Sequence, residues 1–245
     1  PESVRRQLRR EHGIGAWNGL GAIYGTRGTV RATRRRVARA LRGFHVKFVD
    51  DRTLRLARTT AAALGKVGRG RGLGELLDLL EPVYGLLQGR PSNEPLRGAS
   101  WRVRDPEPAE PTDPLDTHAG LMWASPVLPA VGGSARELMD LIEPIYTRYG
   151  FEPLVTFTMI TERAMIAVTN IAYDRRVADE ADRARTCYAE LTDALIAAGF
   201  IPYRMAPQTA EKINDPAQPC WHTLQKIRHA LDPQGIISPG RYVRD

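Results

Sequence analysis

The most constraining feature of this sequence is a pair of β-branched segments followed by a long helical pattern. Residues 154–160 and 164–173 are rich in residue types that favour strands, and a short polar connection separates them. We therefore predict that they pair as adjacent antiparallel strands. Apolar residues at helical spacing follow over 178–198, and Gly199 is a typical helix stop, so this helix is predicted to pack on the sheet.

The segments before this pair also predict a strand followed by a helix. Residues 120–127 predict a buried strand, and Ser134 with Glu137 forms the capping-box pattern that begins a helix, which Gly150 would end. Together with the short extended run after Gly199, the order is strand, helix, strand, strand, helix, strand. This order predicts an α+β fold in which helices cover an antiparallel sheet.

The first hundred residues show weaker patterns. Thr26 is a candidate helix cap, and residues 65–74 predict a mobile glycine linker. A phosphate-binding loop is rejected there, because the run lacks the terminal G-K-[ST] order and follows a helix rather than a strand. Four prolines within 104–116 predict a stiff surface loop. The predicted elements are strands at 17–24 and 44–49 and helices at 26–41, 53–64 and 75–87.

Length and composition exclude several classes of protein. The chain has 245 residues, of which 42% are hydrophobic and 26% charged, which is typical of a globular protein with one large or two smaller domains. No apolar run approaches the roughly 18 residues of a membrane span, so no membrane partner is predicted, and no signal peptide is visible. Cys187 and Cys220 are too few for a disulfide framework and favour a reducing, cytoplasmic location, with the periplasm left open.

The net charge of +7 is unevenly distributed along the chain. Residues 1–104 contain 22 Lys and Arg against 8 Asp and Glu, whereas residues 105–245 contain 13 against 20. A basic half could bind nucleic acid or an acidic partner protein. We favour a solvated helix face, because the arginines lack interleaved aromatic residues and no nucleic-acid motif is present.

The last forty-odd residues carry the most distinctive side chains. Tyr203 and Arg204 place a phenol hydroxyl and a guanidinium side by side, and such a pair can bind a small anion. Arg241 follows Gly240, which has no side chain, so the backbone there can approach a bound cofactor closely. From residue chemistry alone, we favour a core tyrosine and a surface arginine for Tyr203 and Arg204, whereas for Arg241 an exposed tail position and a cofactor contact are equally consistent.

Five segments in a fixed order resemble the vanillyl-alcohol oxidase and 4-cresol dehydrogenase (p-cresol methylhydroxylase flavoprotein) family. The resemblance extends from about Trp17 to Tyr242 and so covers nearly the whole chain. The segments are W-N-G-L-G-A-I-Y-G at 17–25, M-W-A-S-P-V at 122–127, I-A-Y-D-R at 171–175, P-Y-R at 202–204 and A-L-D-P-Q-G-I-I-S-P-G-R-Y at 230–242.

The resemblance implies an FAD-dependent oxidoreductase that acts on a 4-alkylphenol or related aromatic compound by hydride transfer to flavin N5. Tyr203 and Arg204 match the pair that binds the phenolate oxygen in that family. Arg241 matches an arginine near the flavin ring, and Leu121 and Trp123 match positions beside the flavin. In the wider superfamily, Arg204 would instead bind the carboxylate of a hydroxy acid, which leaves an FAD-dependent hydroxy-acid dehydrogenase as an alternative.

The chain also departs from the family pattern. Some members tether FAD through a His or Tyr where Leu121 stands here, so FAD is expected to be noncovalent, with His118 as a remote substitute for the tether. A pair of histidines in the family falls here near residues 165–167, which contain no acid or base. This departure allows a different substrate, or proton transfer by residues outside this chain.

The family's FAD-binding half has no counterpart in the sequence. Residues 1–199 are therefore expected to form the cap (substrate) domain, and residues 200–245 a segment that returns to the FAD site. The chain is then a fragment, or a separate polypeptide supplies the FAD-binding half, and alone it is expected to be inactive. A homodimer is expected, with oxygen or cytochrome c as electron acceptor. An alternative outside the class of enzymes is a non-catalytic interaction module with a basic face.

Overall fold

The structure, a computed structural model, describes residues 15, 17–65, 71–103, 113–204, 206–213 and 217–239. Packing divides the chain into two compact units, residues 1–92 and residues 93–245. The domain boundary expected between residues 199 and 200 separates the expected cap domain from the segment expected to reach FAD, and it stays a prediction. Within the described residues, no helix is both long enough and apolar enough to cross a membrane.

The first unit is helical. Helix α1 spans Arg27–Ala40, α2 spans Asp51–Gly65 and α3 spans Arg71–Leu87. Thr26 caps α1 as predicted, since its hydroxyl accepts a hydrogen bond from the Thr29 N–H at 3.3 Å. Helices α2 and α3 are joined by polar contacts. In these contacts Arg58 binds Asp78 at 3.0 Å and also pairs with Glu81, and the Tyr84 hydroxyl donates to Asp51 at 2.8 Å.

Two strands predicted in this unit are wrong. Residues 17–24 and 44–49 are irregular, and their large side chains are exposed: Trp17 by 60% and Phe44 by 74%. A strand needs a neighbour for its backbone hydrogen bonds, and the described part of this unit offers none. The predicted glycine linker is also wrong in part, because α3 begins at Arg71, while residues 66–70 lie outside the described residues.

The second unit contains the predicted antiparallel sheet. Strand β1 spans Ala119–Ala124, β2 Val127–Pro129, β3 Leu154–Met159 and β4 Ala164–Asp174. Strand β4 lies in the centre: β1 and β2 pair with one of its edges and β3 with the other, all antiparallel. The predicted β3–β4 pair is confirmed, and the strand predicted at 120–127 is the β1–β2 row.

Two long helices cover one face of this sheet. Helix α4 spans Gly132–Arg148 and α5 spans Ala178–Ala197. Buried side chains of α4, α5 and the sheet form one core, in which Tyr146, Leu138, Ile142 and Leu191 are wholly inaccessible. The predicted α+β class, an antiparallel sheet covered by helices, is therefore confirmed.

The helix ends follow the sequence signals only in part. Gly150 and Gly199 have φ values of 74° and 80°, the left-handed conformation expected of glycines that end helices. The capping box predicted at Ser134 is wrong. Helix α4 begins at Gly132, and its cap residue, Val131, makes no side-chain cap bond. The proline-rich segment lies at 104–112, outside the described residues, and continues into a short 3₁₀ turn, Pro114–Asp116.

A buried ion pair ties the start of the second unit to α5. A 3₁₀ helix, Glu94–Ser100, precedes Arg102, whose side chain is only 17% exposed. Arg102 binds Glu180 at 2.8 Å and Glu152 at 2.6 Å, and Glu180 also accepts the Asp174 N–H at 2.8 Å. Burial raises the pKa of Glu180, but these bonds outweigh it and hold the pKa below its usual value.

Candidate active site

The Tyr203 segment adds a short fourth row to the sheet. Residues 201–203 run antiparallel beside the junction of β1 and β2, where Pro202 lies opposite Pro126. Two backbone hydrogen bonds fix this register, from the Val127 N–H to the Ile201 carbonyl at 2.9 Å and from the Tyr203 N–H to the Ser125 carbonyl at 3.1 Å. The predicted extended run after Gly199 therefore forms a single β-bridge at the edge of the sheet rather than a full strand.

Part of the sheet face away from α4 and α5 is exposed. Along β4, Met165, Ala167, Thr169 and Ile171 are buried towards the helices, and the residues between them, from 166 to 170, point the other way. Directly opposed residues share a face, so the register assigns the neighbours. The members of this open sheet face are Leu121, Trp123, Ser125, Val127, Leu154, Thr156, Thr158, Ile166, Val168, Asn170, Ala172, Ile201 and Tyr203, of which Ser125 and Ala172 are buried.

The open sheet face is predominantly apolar. Trp123 is 63% exposed, Tyr203 57% and Leu154 43%, so large rings and a branched chain remain uncovered. Among the described residues of this face, the Tyr203 phenol is the one ionisable group. A flat apolar surface with aromatic rings can bind a planar aromatic molecule, and a hydroxyl at its edge can orient such a molecule by hydrogen bonding.

Arg204 lies in a cleft at the edge of the sheet. The cleft has a cavity volume of about 20 Å³, enough for about one water molecule. Tyr203 does not line it, so the two neighbouring side chains meet different surroundings, the open face and the cleft. Trp123 borders both the open sheet face and the cleft. The cleft is lined by Trp123, Ala124, Ser125, Tyr188, Thr192, Leu195, Pro202, Arg204 and Thr209.

The two predicted flavin contacts on β1 lie on the open sheet face. Leu121 is half-buried opposite Ala172, and Trp123 stands opposite Asn170. Neither side chain is a nucleophile, so neither can form a covalent bond to a flavin. His118 is exposed just before β1, and its carbonyl accepts the Arg175 N–H at 2.8 Å. An apolar side chain beside an exposed indole offers a surface on which an aromatic ring can stack.

Arg241 lies outside the described residues, but the turn that leads towards it is described. Helix α7, Pro219–Leu231, follows the short α6, Pro207–Ala210. After α7, the buried Asp232 carboxylate accepts the N–H groups of Ile236 and Ile237 at 3.1 and 2.8 Å, and Gly235 has a φ of 64°. Sequence analysis missed Asp232, although an Asp before Pro-Gln-Gly is a recognisable turn signal.

A second residue missed by the sequence analysis is Asn170. Its Oδ1 atom is buried and has no hydrogen-bond partner. The signal was present in the sequence, since Asn170 is an amide in a strand made otherwise largely of apolar residues. The described residues contain no group of three or more His, Cys, Asp or Glu side chains able to bind a metal ion. The polar atoms available on this face are thus hydroxyl and amide groups.

Comparison with known proteins relates the chain to flavoproteins. No family model matches it. It is 32% identical over 99% of its length to a 1'-carboxy-chondrochloren decarboxylase of Chondromyces crocatus, of which it covers 44%. It is 26% identical over 98% of its length to the 4-cresol dehydrogenase [hydroxylating] flavoprotein subunit of Pseudomonas putida, of which it covers 40%. The chain therefore spans less than half the length of these curated relatives.

Solved structures show that the fold of the chain is shared with part of two larger proteins. All of the chain superposes on 41% of p-cresol methylhydroxylase with substrate bound, with a TM-score of 0.68 and 24% identity. The 4-ethylphenol oxidase from Gulosibacter chungangensis, in complex with isoeugenol, matches with a TM-score of 0.73 and 22% identity, over 99% of this chain and 42% of that one. Over nearly its whole length, the chain is therefore similar to part of a decarboxylase and part of a 4-cresol dehydrogenase flavoprotein subunit, and it shares the fold of part of p-cresol methylhydroxylase and of 4-ethylphenol oxidase.

Proposed function

We propose that this chain forms the substrate-binding part of an FAD-dependent oxidoreductase that oxidises a 4-alkylphenol or a related aromatic compound. The observation that carries the proposal is the open sheet face, where exposed Trp123 and Tyr203 lie on an otherwise apolar surface beside the Arg204 cleft. The relationship to a 4-cresol dehydrogenase flavoprotein subunit supports the same chemistry. The rings of such a substrate would lie on this face.

Tyr203 and Arg204 would act on the phenol oxygen. A guanidinium and a phenol hydroxyl both donate hydrogen bonds, and donors stabilise the ionised form of a bound phenol. The phenolate ring then releases electrons towards the benzylic carbon, so a hydride can leave that carbon and a quinone methide forms. Water adds to the quinone methide and gives the alcohol. Arg204 would have to turn from its cleft towards the open face, or the substrate oxygen would have to lie at the border between them.

FAD, when bound, would accept the hydride at its N5 atom. The residues that would contact it from this chain are Leu121 and Trp123, with Arg241 as the cation near the ring. We expect noncovalent binding, because Leu121 offers no atom for a covalent bond. The described residues of the open face carry no carboxylate, imidazole or amine that could act as a base, so proton transfers would fall to water or to residues outside this chain.

The remaining parts of the enzyme belong to the same proposal. Since the chain spans less than half of its relatives, an FAD-binding part would lie elsewhere in the same polypeptide or on a separate one. Residues 200–245 would be the segment that reaches FAD. We also propose a homodimer, located in the cytoplasm or the periplasm, with oxygen or a cytochrome c as the electron acceptor.

Decarboxylation is a second candidate, because the relative with 32% identity is a decarboxylase. In that case the substrate would be an aromatic compound that carries a carboxyl group, and Arg204 would be the cation that binds the carboxylate. The relatives compared here include none named for a hydroxy acid and none named as a non-catalytic module, so neither of those alternatives gains support.

Rapid mixing of the complete flavoprotein with candidate substrates, without oxygen, tests the proposal. We expect a 4-alkylphenol to bleach the flavin absorbance near 450 nm, roughly the usual flavin maximum, whereas a 2-hydroxy acid leaves it unchanged. Carbon dioxide released from a carboxylated phenol would favour the decarboxylase instead. A protein that binds no flavin, or whose flavin no phenol reduces, would refute the phenol oxidase.

Two substitutions test the assigned residues. Loss of one hydrogen bond to a charged oxygen in Tyr203→Phe or Arg204→Gln should lower kcat/KM for the phenol about 10- to 100-fold. Arg163→Ala is the matched control, because Arg163 is 89% exposed on the turn between β3 and β4 and should leave kcat/KM unchanged. Equal kcat/KM for the two site variants and the control would remove Tyr203 and Arg204 from the site.

A further inference from the structure

Asn170 stands in the middle of the open sheet face with an unused hydrogen-bonding atom. Its neighbours across the sheet are Trp123 on β1 and Leu154 on β3, both apolar and both partly exposed. The Oδ1 atom of Asn170 is buried and has no hydrogen-bond partner. A buried amide oxygen without a donor is unfavourable, and a folded protein usually supplies a donor for it.

We propose that Asn170 is a substrate-positioning residue whose amide turns about its Cβ–Cγ bond, so that Oδ1 faces the substrate and accepts a hydrogen bond from the substrate's side chain. The proposal rests on the phenol-binding function above, and it narrows the substrate class. The substrate would carry a donor, such as a hydroxyl or an amide N–H, on the substituent para to its phenol oxygen. A substituent that is purely hydrocarbon would leave the Asn170 oxygen unpaired and should bind less well.

The sheet register places Asn170 at a suitable distance from Tyr203. The two residues are two strands apart and two positions apart along the strands, so their Cα atoms are separated by about 12 Å. Both side chains rise from the same face, so a molecule that lies on this face and extends over about that length can contact both. One phenol ring with a short para substituent can span this distance, with the phenol oxygen towards Tyr203 and the substituent towards Asn170.

The first test compares two phenols of nearly the same shape. 4-Hydroxybenzamide has an N–H donor where 4-hydroxyacetophenone has a methyl group, and neither has a benzylic hydrogen to be removed. Titration of the complete flavoprotein, followed by the flavin absorbance, gives a Kd for each. We expect the natural protein to prefer the amide, and Asn170→Leu to lose about 3- to 10-fold of that preference, since one neutral hydrogen bond disappears.

Thr147→Val is the control, because Thr147 is exposed on α4, which covers the other face of the sheet, and its loss should leave the preference unchanged. The inference fails if Asn170→Leu weakens both phenols equally, or changes neither. If the natural flavoprotein binds neither phenol, the proposed function itself has failed. Binding of both phenols with no effect of Asn170→Leu would overturn the Asn170 role alone.

A second test needs no cofactor or substrate. If the Asn170 amide is held unpaired for a ligand, Asn170→Leu removes an unfavourable buried polar atom. The unfolding midpoint of the chain should then rise by about 2–4 °C. A lower midpoint would identify Asn170 as a structural residue and refute the inference, whatever the binding data show.

Discussion

Gly120 is the position at which a single methyl group should disturb the candidate site most. It lies on β1, directly opposite Tyr173 on β4, and the Tyr173 ring packs over it. A Cβ atom added at Gly120 would lie 2.6 Å from Cε1 of Tyr173 and closer still to Cε2 and Cζ. Ordinary contacts between carbon atoms are about 3.5–4.0 Å, so the ring or the strand must move by about 1 Å.

The expected cost of Gly120→Ala follows from what can move. The Tyr173 ring packs against the core, and hydrogen bonds with β4 hold the β1 backbone on both sides of Gly120. Overpacking of this kind lowers the free energy of unfolding by about 1–3 kcal/mol, and we expect the upper part of that range. Because Leu121 and Trp123 follow on the same strand, the open sheet face should shift as well.

Urea unfolding, followed by circular dichroism, measures this change. Gly133→Ala is the control: Gly133 lies in the first turn of α4 with no atom within 4 Å of an added Cβ, so the substitution should be neutral or stabilise by up to about 1 kcal/mol. In a Tyr173→Ala background the ring is absent, and Gly120→Ala should then cost almost nothing. If Gly120→Ala is neutral, or costs the same in both backgrounds, the packing argument is refuted.

Three further predictions concern the second unit. Arg102→Ala should lower the free energy of unfolding by about 3–5 kcal/mol, because it leaves Glu180 buried without its cation. The control, Arg163→Ala, removes an exposed pair and should change the free energy of unfolding by less than about 0.5 kcal/mol. Equal effects of the two substitutions would contradict the buried pair. The pKa of Glu180 is lowered in the folded protein, so its contribution to the free energy of unfolding is complete above its ordinary pKa of about 4.5 and is lost as the pH falls through the folded value. Acidification should therefore destabilise the natural protein more than it destabilises Arg102→Ala. Burial raises the pKa of Cys187 to about 11, about three units above pH 8. A thiol reagent at pH 8 should therefore label exposed Cys220 in the folded protein and Cys187 only after unfolding. Rapid labelling of both cysteines would show that the core opens.

The second unit was largely predictable from the sequence, whereas the first was not. Residues 154–173 combine β-branched composition with a short connection, and such local signals suffice for an antiparallel pair. Residues 17–24 and 44–49 have strand-like composition too, yet they form no strand in the described structure. Composition records a preference for extended backbone, but a strand exists only where another strand accepts its hydrogen bonds.

The candidate site, like the fold, was predictable from the sequence only in part. The sequence alone determined which reactive side chains are available, the adjacent phenol and guanidinium of Tyr203 and Arg204, and the family pattern that surrounds them. Only the tertiary structure decided that Tyr203 shares an open face with Trp123 and Asn170 while Arg204 lines a cleft, and that the Asn170 oxygen has no partner. The physical reason is that the face on which a side chain lies depends on strand register and pairing. Residues distant in the sequence set both through their hydrogen bonds and their packing.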